Sequence, residues 1–249
     1  MTDNTTNKIE GRNPVTEAIR SGRTIDKILI QSGEKNGSIR KIIALAREKK
    51  IVITEVDRAK LDKLSETKSH QGVIAFAAAK EYSTVEEILD LAKAKGEAPF
   101  VIIADDLNDP HNLGSIIRTA NAAGAHGVII PKRNSVGLSP VVDKTSAGAL
   151  EFTKVAKVSN LTSTIETLKK ANVWIVAADM DGENTLYNHD FSGGVGIVVG
   201  SEGKGVSRLV KEKCDFVVRI PMLGQINSLN ASVAAALMIY EVVRTRNNN

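Results

Sequence analysis

Short runs of consecutive apolar residues alternate with stretches whose apolar positions recur every three or four residues, and the alternation persists along most of the chain. In the front third, Asn13-Pro14 opens a helix, because proline is pre-set for the first helical turn and has no N–H to lose there. "DKILIQ" (26–31), "IVITEV" (51–56) and "GVIAFAA" (72–78) read as strands. Between them, "SIRKIIALAREKK" (38–50) places Ile39, Ile42, Ile43, Leu45 and Ala46 at helical spacing, and "RAKLDKLS" (58–65) is a shorter helix. This is a small α/β unit of about 75 residues. "AAKEYST" (78–84) reads as a linker that runs into a helix over 84–95, and the polar residues 1–6 and 247–249 are expected to fray.

The longer second segment repeats the pattern. Strands are expected at "FVIIAD" (100–105), "GVIIP" (127–131), "FTKVAKV" (152–158), "WIVAAD" (174–179), "VGIVVG" (195–200) and "FVVRIP" (216–221). These runs are continuously apolar, the pattern of parallel strands buried on both faces. Helix signals separate most of them. The fold class is therefore α/β, a parallel sheet of about six strands with helices on both faces and ligands at the carboxyl ends of the strands.

Composition narrows the setting. Of 249 residues, 42% are hydrophobic, which is ordinary for a packed globular core. No apolar run is long enough to span a membrane, and "MTDNTTNK" lacks the apolar stretch of a secretory signal. The single cysteine, Cys214, leaves no intrachain disulfide and suits a reducing, cytoplasmic compartment. The net charge of +4 is uneven: residues 1–80 hold 16 Lys+Arg against 10 Asp+Glu, whereas residues 81–249 hold 17 against 19. A basic front and a near-neutral back suit a polyanion held by the front. A solvated surface with scattered lysines explains the charge equally well.

Candidate chemistry gathers at three strand ends. In "DDLNDPHNLGSIIRTANAAGAHG" (105–127), Asn112 reads as a helix cap, Leu113, Ile116, Ile117, Ala120 and Ala123 as the buried face, and Gly124 as the C-terminal glycine. Arg118 is left over, beside small neighbours; without more context it is a surface arginine. In "VVGSEGKGVS" (198–207), glycines 200, 203 and 205 link a strand to a helix. A phosphate loop is excluded, because Val198 and Gly205 stand where the Walker pattern needs Gly and Ser or Thr. Glu202 would repel a phosphate and suits a ligand with a positive centre or several donors. In "RIPMLGQINSLNAS", the polar residues Gln225, Asn227, Ser228, Asn230 and Ser232 crowd before a helix that needs one cap. Ser228, Asn230 or Ser232 serves as that cap, and the remaining amides suit a ligand that presents an edge, such as adenine. The small residues of "ASVAAAL" allow close helix packing. His70, His111, His126 and His189 have no metal-ligand spacing with one another or with Cys214, and no G-x-S-x-G elbow is present.

Taken in order, "NLGSIIRTANAAG", "IVVGSEGKGVS" and "IPMLGQINSLNASVAAALMIYE" resemble the three motifs of the SpoU/TrmH family of RNA ribose 2′-O-methyltransferases. The front segment, with "EGRNPVTEAI" (10–19), resembles the ribosomal-protein-like substrate-binding domain of members that methylate a guanosine in 23S ribosomal RNA. The resemblance implies a C-terminal deep trefoil knot, S-adenosyl-L-methionine as cofactor and a homodimer with the active site at the subunit boundary. It divides the chain into an RNA substrate-binding domain (7–78), a linker with a leading helix (79–98) and a knotted methyltransferase domain (99–246). Gly200, Ile220 and Leu229, with Met222 and Ser228 nearby, match the cofactor contacts. Arg118, Asn112, Glu202, Ser228 and Asn230 match the catalytic positions. Arg118 matches the arginine to which the family assigns activation of the hydroxyl; guanidinium stays protonated, which makes it an awkward base, and the alternative role is to orient the ribose-phosphate and stabilise developing charge.

Two other readings compete. A transfer-RNA substrate keeps the chemistry and changes the partner; the whole α/β front domain argues against it by analogy. A non-catalytic RNA-binding or assembly factor would keep the front domain without cofactor affinity; the intact motif residues argue against it. The recognition residues of the front domain are legible by charge alone, as Arg12, Arg20, Arg23, Arg40 and Lys41.

Overall fold

The computed structural model describes residues 8–34, 37–65, 67–225 and 227–247. The chain divides into two compact units: one runs up to Glu81 and includes Gly137–Pro140, and the other comprises Tyr82–Val136 and Val141 onward. The fraying expected at residues 1–6, 248 and 249 concerns residues outside those described, whereas Asn247 closes the last helix.

In the first unit, β1 (Lys8–Glu10), β2 (Ile25–Gln31), β3 (Val52–Val56) and β4 (Val73–Ala77) form a sheet in the order β1-β4-β2-β3. β4 is antiparallel to β1 and β2, while β2 and β3 are parallel. Helices α1 (Arg12–Arg20) and α2 (Gly37–Glu48) bury Val15, Ile19, Ile39 and Ile42 against one face, where Ile28, Ile30 and Val73 point. α3 (Arg58–Leu64) covers the other face through Leu61, against Leu29 and Ile74. The alternation of strand side chains between faces accounts for this division. Pro14 falls within the first turn of α1, where its missing N–H breaks no helical bond.

Two of the basic residues singled out above serve the fold. The Arg12 guanidinium donates to the Gln71 carbonyl (2.9 Å), Ser38 Oγ (3.1 Å) and Glu34 (3.2 Å). Arg20 pairs with Glu17 at 3.0 Å. Glu10 accepts from the Ser65 hydroxyl at 2.6 Å and from Thr67. The stretch "EGRNPV" therefore pins the loop that leads into β4.

In the second unit, β5 (Phe100–Ala104), β6 (Gly127–Pro131), β7 (Lys154–Val158), β8 (Val173–Ala178), β9 (Asn184–Thr185), β10 (Gly194–Val199) and β11 (Phe216–Arg219) form one sheet, ordered β7-β6-β5-β10-β8-β11-β9. Every pairing in it is parallel. α4 (Val85–Lys95), α8 (Leu161–Lys170) and α9 (Arg208–Lys211) pack Ile88, Ile165, Leu168 and Val210 on one face, against Val101, Ile103 and Ile175. α5 (Pro110–Ala122) and α10 (Ala231–Asn247) lie together on the other face. The short α6 (Pro140–Ser146) and α7 (Ala149–Phe152) precede β7.

The differences from expectation are local. The strand expected at 152–158 starts at Lys154, because Phe152 ends α7 with its side chain 82% exposed. The strand expected at 216–221 stops at Arg219, and Ile220 begins an irregular run. β1 and β9 are too short to show a periodicity.

Candidate active site

Three chain segments converge at the carboxyl ends of β5, β10 and β11. After β5, Asp109 Oδ1 accepts from the His111 N–H at 2.8 Å and Pro110 opens α5, so Asp109 is the cap. This corrects the expectation for Asn112, which sits inside the first turn, buried, with its side chain free to face β10. The helix ends at Ala122, and Gly124 follows at φ 73°, a left-handed conformation that glycine adopts without strain.

After β10, the loop folds tightly on itself. Ser201 and Gly205 exchange backbone hydrogen bonds of 3.2 and 2.9 Å. A Cβ on Gly200 would lie 2.0 Å from the Gly205 carbonyl carbon, so only glycine fits there. The buried Asp105 carboxylate, at the end of β5, accepts from the Ser207 N–H at 2.7 Å and fixes the far side of the loop. Glu202 projects from the loop tip.

After β11, the chain runs irregularly from Ile220 to Asn230 before α10. Of the three caps considered, Asn230 is the one used: its Oδ1 accepts from the Ser232 N–H (3.0 Å), the Ser232 hydroxyl (2.6 Å) and the Val233 N–H (3.3 Å). Its Nδ2 donates to Asn112 Oδ1 at 2.9 Å and to Glu202 Oε1. Asn112 Nδ2 donates to the same Glu202 oxygen at 3.0 Å, and the Ala231 N–H reaches it at 3.3 Å. Residues from all three loops thus close one network. Glu202 Oε1 is used on internal donors rather than on a ligand, while Oε2 has no hydrogen-bond partner among the described residues.

Beside this network lies a cavity of about 280 Å³. Gly200, Glu202, Ile220, Met222, Ser228 and Leu229 line it. Ala231 and Ala234 of α10 keep one wall small and apolar. Arg118 is not at this wall: it is exposed on α5, without an ion pair or hydrogen bond among the described residues. Sequence reasoning missed three further lining residues, Asp179, Asp181 and Lys211. Lys211 Nζ lies 2.7 Å from Asp179 and 3.2 Å from Asp181. The hydrogen bond to Asp179 holds the Lys211 ammonium above its ordinary pKa, against the opposing effect of burial. One signal was available: Asp179 follows directly on the apolar strand run "WIVAA", at the sheet edge where ligands bind.

The remaining titratable groups offer little chemistry. Burial pushes the Cys214 thiol up to about 12, which makes it a poor nucleophile. Among the described residues no cluster of His, Cys, Asp and Glu is suited to hold a metal, and no helix is long and apolar enough to cross a membrane.

A parallel sheet with a cavity at its carboxyl edge, walled by polar loops from three strands, defines an α/β protein built around a small-molecule site. Residues 99–240 match the SpoU rRNA methylase family, and residues 8–83 match the RNA 2′-O ribose methyltransferase substrate-binding family. A Staphylococcus saprophyticus protein, assigned by name to the TrmH family tRNA/rRNA methyltransferases, is 52% identical over 96% of each chain. The crystal structure of an RNA 2′-O ribose methyltransferase is similar at a TM-score of 0.56 and 30% identity, covering 96% of this chain and 88% of that one. The SpoU methyltransferase AviRb from Streptomyces viridochromogenes, solved in complex with AdoMet, shares the fold at a TM-score of 0.62 and 24% identity, over 97% of this chain and 91% of that one. The chain belongs to the SpoU rRNA methylase family and is an RNA methyltransferase. The methyl donor of the family is S-adenosyl-L-methionine.

Proposed function

We propose that this enzyme transfers a methyl group from S-adenosyl-L-methionine to the ribose 2′-hydroxyl of a guanosine in 23S ribosomal RNA, as a cytoplasmic homodimer. Residues 7–78 hold the RNA, 79–98 connect, and 99–246 form the methyltransferase domain with its trefoil knot. The observation that carries this reading is the Asn112–Glu202–Asn230 network on the rim of a cavity at the carboxyl ends of β8 and β10.

The residues present suit the cofactor. The cavity is near the lower end of the range for small-molecule sites, about 300–1,000 Å³. Ile220, Leu229, Ala231 and Ala234 offer an apolar slot for adenine, and Gly200 brings backbone close to it. S-adenosyl-L-methionine held there would supply an electrophilic methyl group, and the ribose hydroxyl that receives it would give up its proton to an acceptor. The protein contributes position. Asn112 and Asn230 hold Glu202 through Oε1, and we assign Oε2 as an acceptor for the reaction. Ser228 lines the cavity, and we assign it to a substrate phosphate. Arg118 lies off its own cavity wall and carries a permanent positive charge. We assign it to the ribose-phosphate across the subunit boundary, where it stabilises charge developing on oxygen.

Labelled S-adenosyl-L-methionine incubated with unmodified 23S ribosomal RNA, and separately with transfer RNA, tests the proposal. Nuclease digestion should place the label in 2′-O-methylguanosine from ribosomal RNA. Label in transfer RNA alone would overturn the substrate assignment and keep the chemistry. Arg118→Ala should lower the rate at least about 100-fold, the scale of a lost transition-state contact.

A further inference from the structure

The cavity that Glu202 lines also contains a carboxylate that the reaction scheme does not use. Asp179 follows β8 at its carboxyl end, and its side chain is only 7% exposed. Backbone and side-chain contacts both fix it. Its backbone N–H donates to the Val218 carbonyl at 3.0 Å. One carboxylate oxygen, Oδ1, accepts from the Asp181 N–H at 3.2 Å, and the other, Oδ2, meets Lys211 Nζ at 2.7 Å. Each oxygen retains a second acceptor site. A Cβ on Gly205 would lie 3.1 Å from Oδ2, so the glycine loop also keeps this carboxylate uncrowded.

Burying one carboxylate this far is a costly way to tie α9 to β8, although Lys211 keeps 28% of its side chain exposed. An apolar contact would serve that purpose as well. What the pair adds is an oriented acceptor on a cavity wall. Lys211 is shared with Asp181 at 3.2 Å, so one ammonium answers two carboxylates and Asp179 stays a strong acceptor for hydroxyl donors. The occupant has such donors. Its adenine fits the apolar slot of Ile220, Leu229, Ala231 and Ala234, and its sulfonium must face the Asn112–Glu202–Asn230 side for transfer to occur. The ribose joins those two parts.

We propose that Asp179, held in orientation by Lys211, accepts hydrogen bonds from the ribose hydroxyls of the cofactor and makes the pocket selective for a ribonucleoside. This rests on the cofactor assignment made above. Titration calorimetry of the full chain with S-adenosylhomocysteine and with its 2′,3′-dideoxy analogue tests it. Asp179→Asn should weaken S-adenosylhomocysteine about 10- to 100-fold, the scale of a lost charge-assisted hydrogen bond, and change the dideoxy analogue by less than about 3-fold. Lys211→Met, which frees the carboxylate to turn, should show the same selective pattern at smaller size. It carries the comparison if thermal unfolding shows the first variant misfolded. Equal losses for both ligands would make Asp179 a structural residue and overturn the inference. Failure of the unaltered protein to bind S-adenosylhomocysteine would instead overturn the cofactor assignment beneath it.

Discussion

Asn230 uses the two ends of one amide for two purposes. Its oxygen caps α10, and its nitrogen bonds Asn112 and Glu202. Replacement by alanine removes both at once. Loss of the cap should destabilise the protein by about 1–2 kcal/mol, measurable by urea unfolding, and loss of the network should abolish most methyl transfer in the still-folded protein. Full activity in Asn230→Ala would show that the network is not needed. The crowding of polar residues before α10 was legible in the sequence as a demand for partners. Their identity was not, because the partner oxygens come from loops 28 and 118 positions away. Asn112 shows the same limit. Its spacing fits a cap, but Asp109 takes that role and Pro110 sets the start, which frees Asn112 for the site.

At the level of elements, the strands of the second unit were readable because parallel strands buried on both faces carry unbroken apolar runs. Their lateral order was not, since nothing in a run of valines and isoleucines says which neighbour it pairs with. The link between α5 and β6 illustrates what holds the order. His126 is buried there, its Nδ1 accepting from the Phe100 N–H at 3.0 Å and its Nε2 facing Glu97 at 3.1 Å. Burial lowers its pKa, with the Glu97 hydrogen bond acting in the opposite sense. Burial lowers His189 as well, with Asp190 opposing. Both rings therefore favour the neutral form when folded. The unfolded chain takes up protons near pH 6.5, so their contribution is complete above that value and declines as pH falls toward the lowered folded values. Urea midpoints should fall as pH drops below about 6.5, and His126→Asn should flatten that slope without removing it, because His189 remains. An unchanged slope would mean that His126 charges freely in the folded state.

For the whole molecule, the chain divides into two units, and Gly137–Pro140 groups with the first although no charge or apolar pattern marks it. The outer face of α10 leaves Val233, Leu237 and Tyr240 between 39% and 50% exposed, one or two turns apart along the helix. A second copy is the occupant the proposed dimer requires. Leu237→Glu should shift the protein to monomer in sedimentation and lose methyl transfer with it, and an active monomer would refute the shared-site arrangement. The sheet order has a further consequence, for synthesis. β10 lies between β5 and β8, yet it is made after both. Neither strand can have its native neighbour on that side until residues 194–199 have been made. The network that closes the site waits longer still, for Asn230. Of all the protein's parts, its candidate site is among the last that translation can complete, and α10 also buries Ala235, Met238, Ile239 and Val242, so a chain truncated near its end would lose core and pocket together.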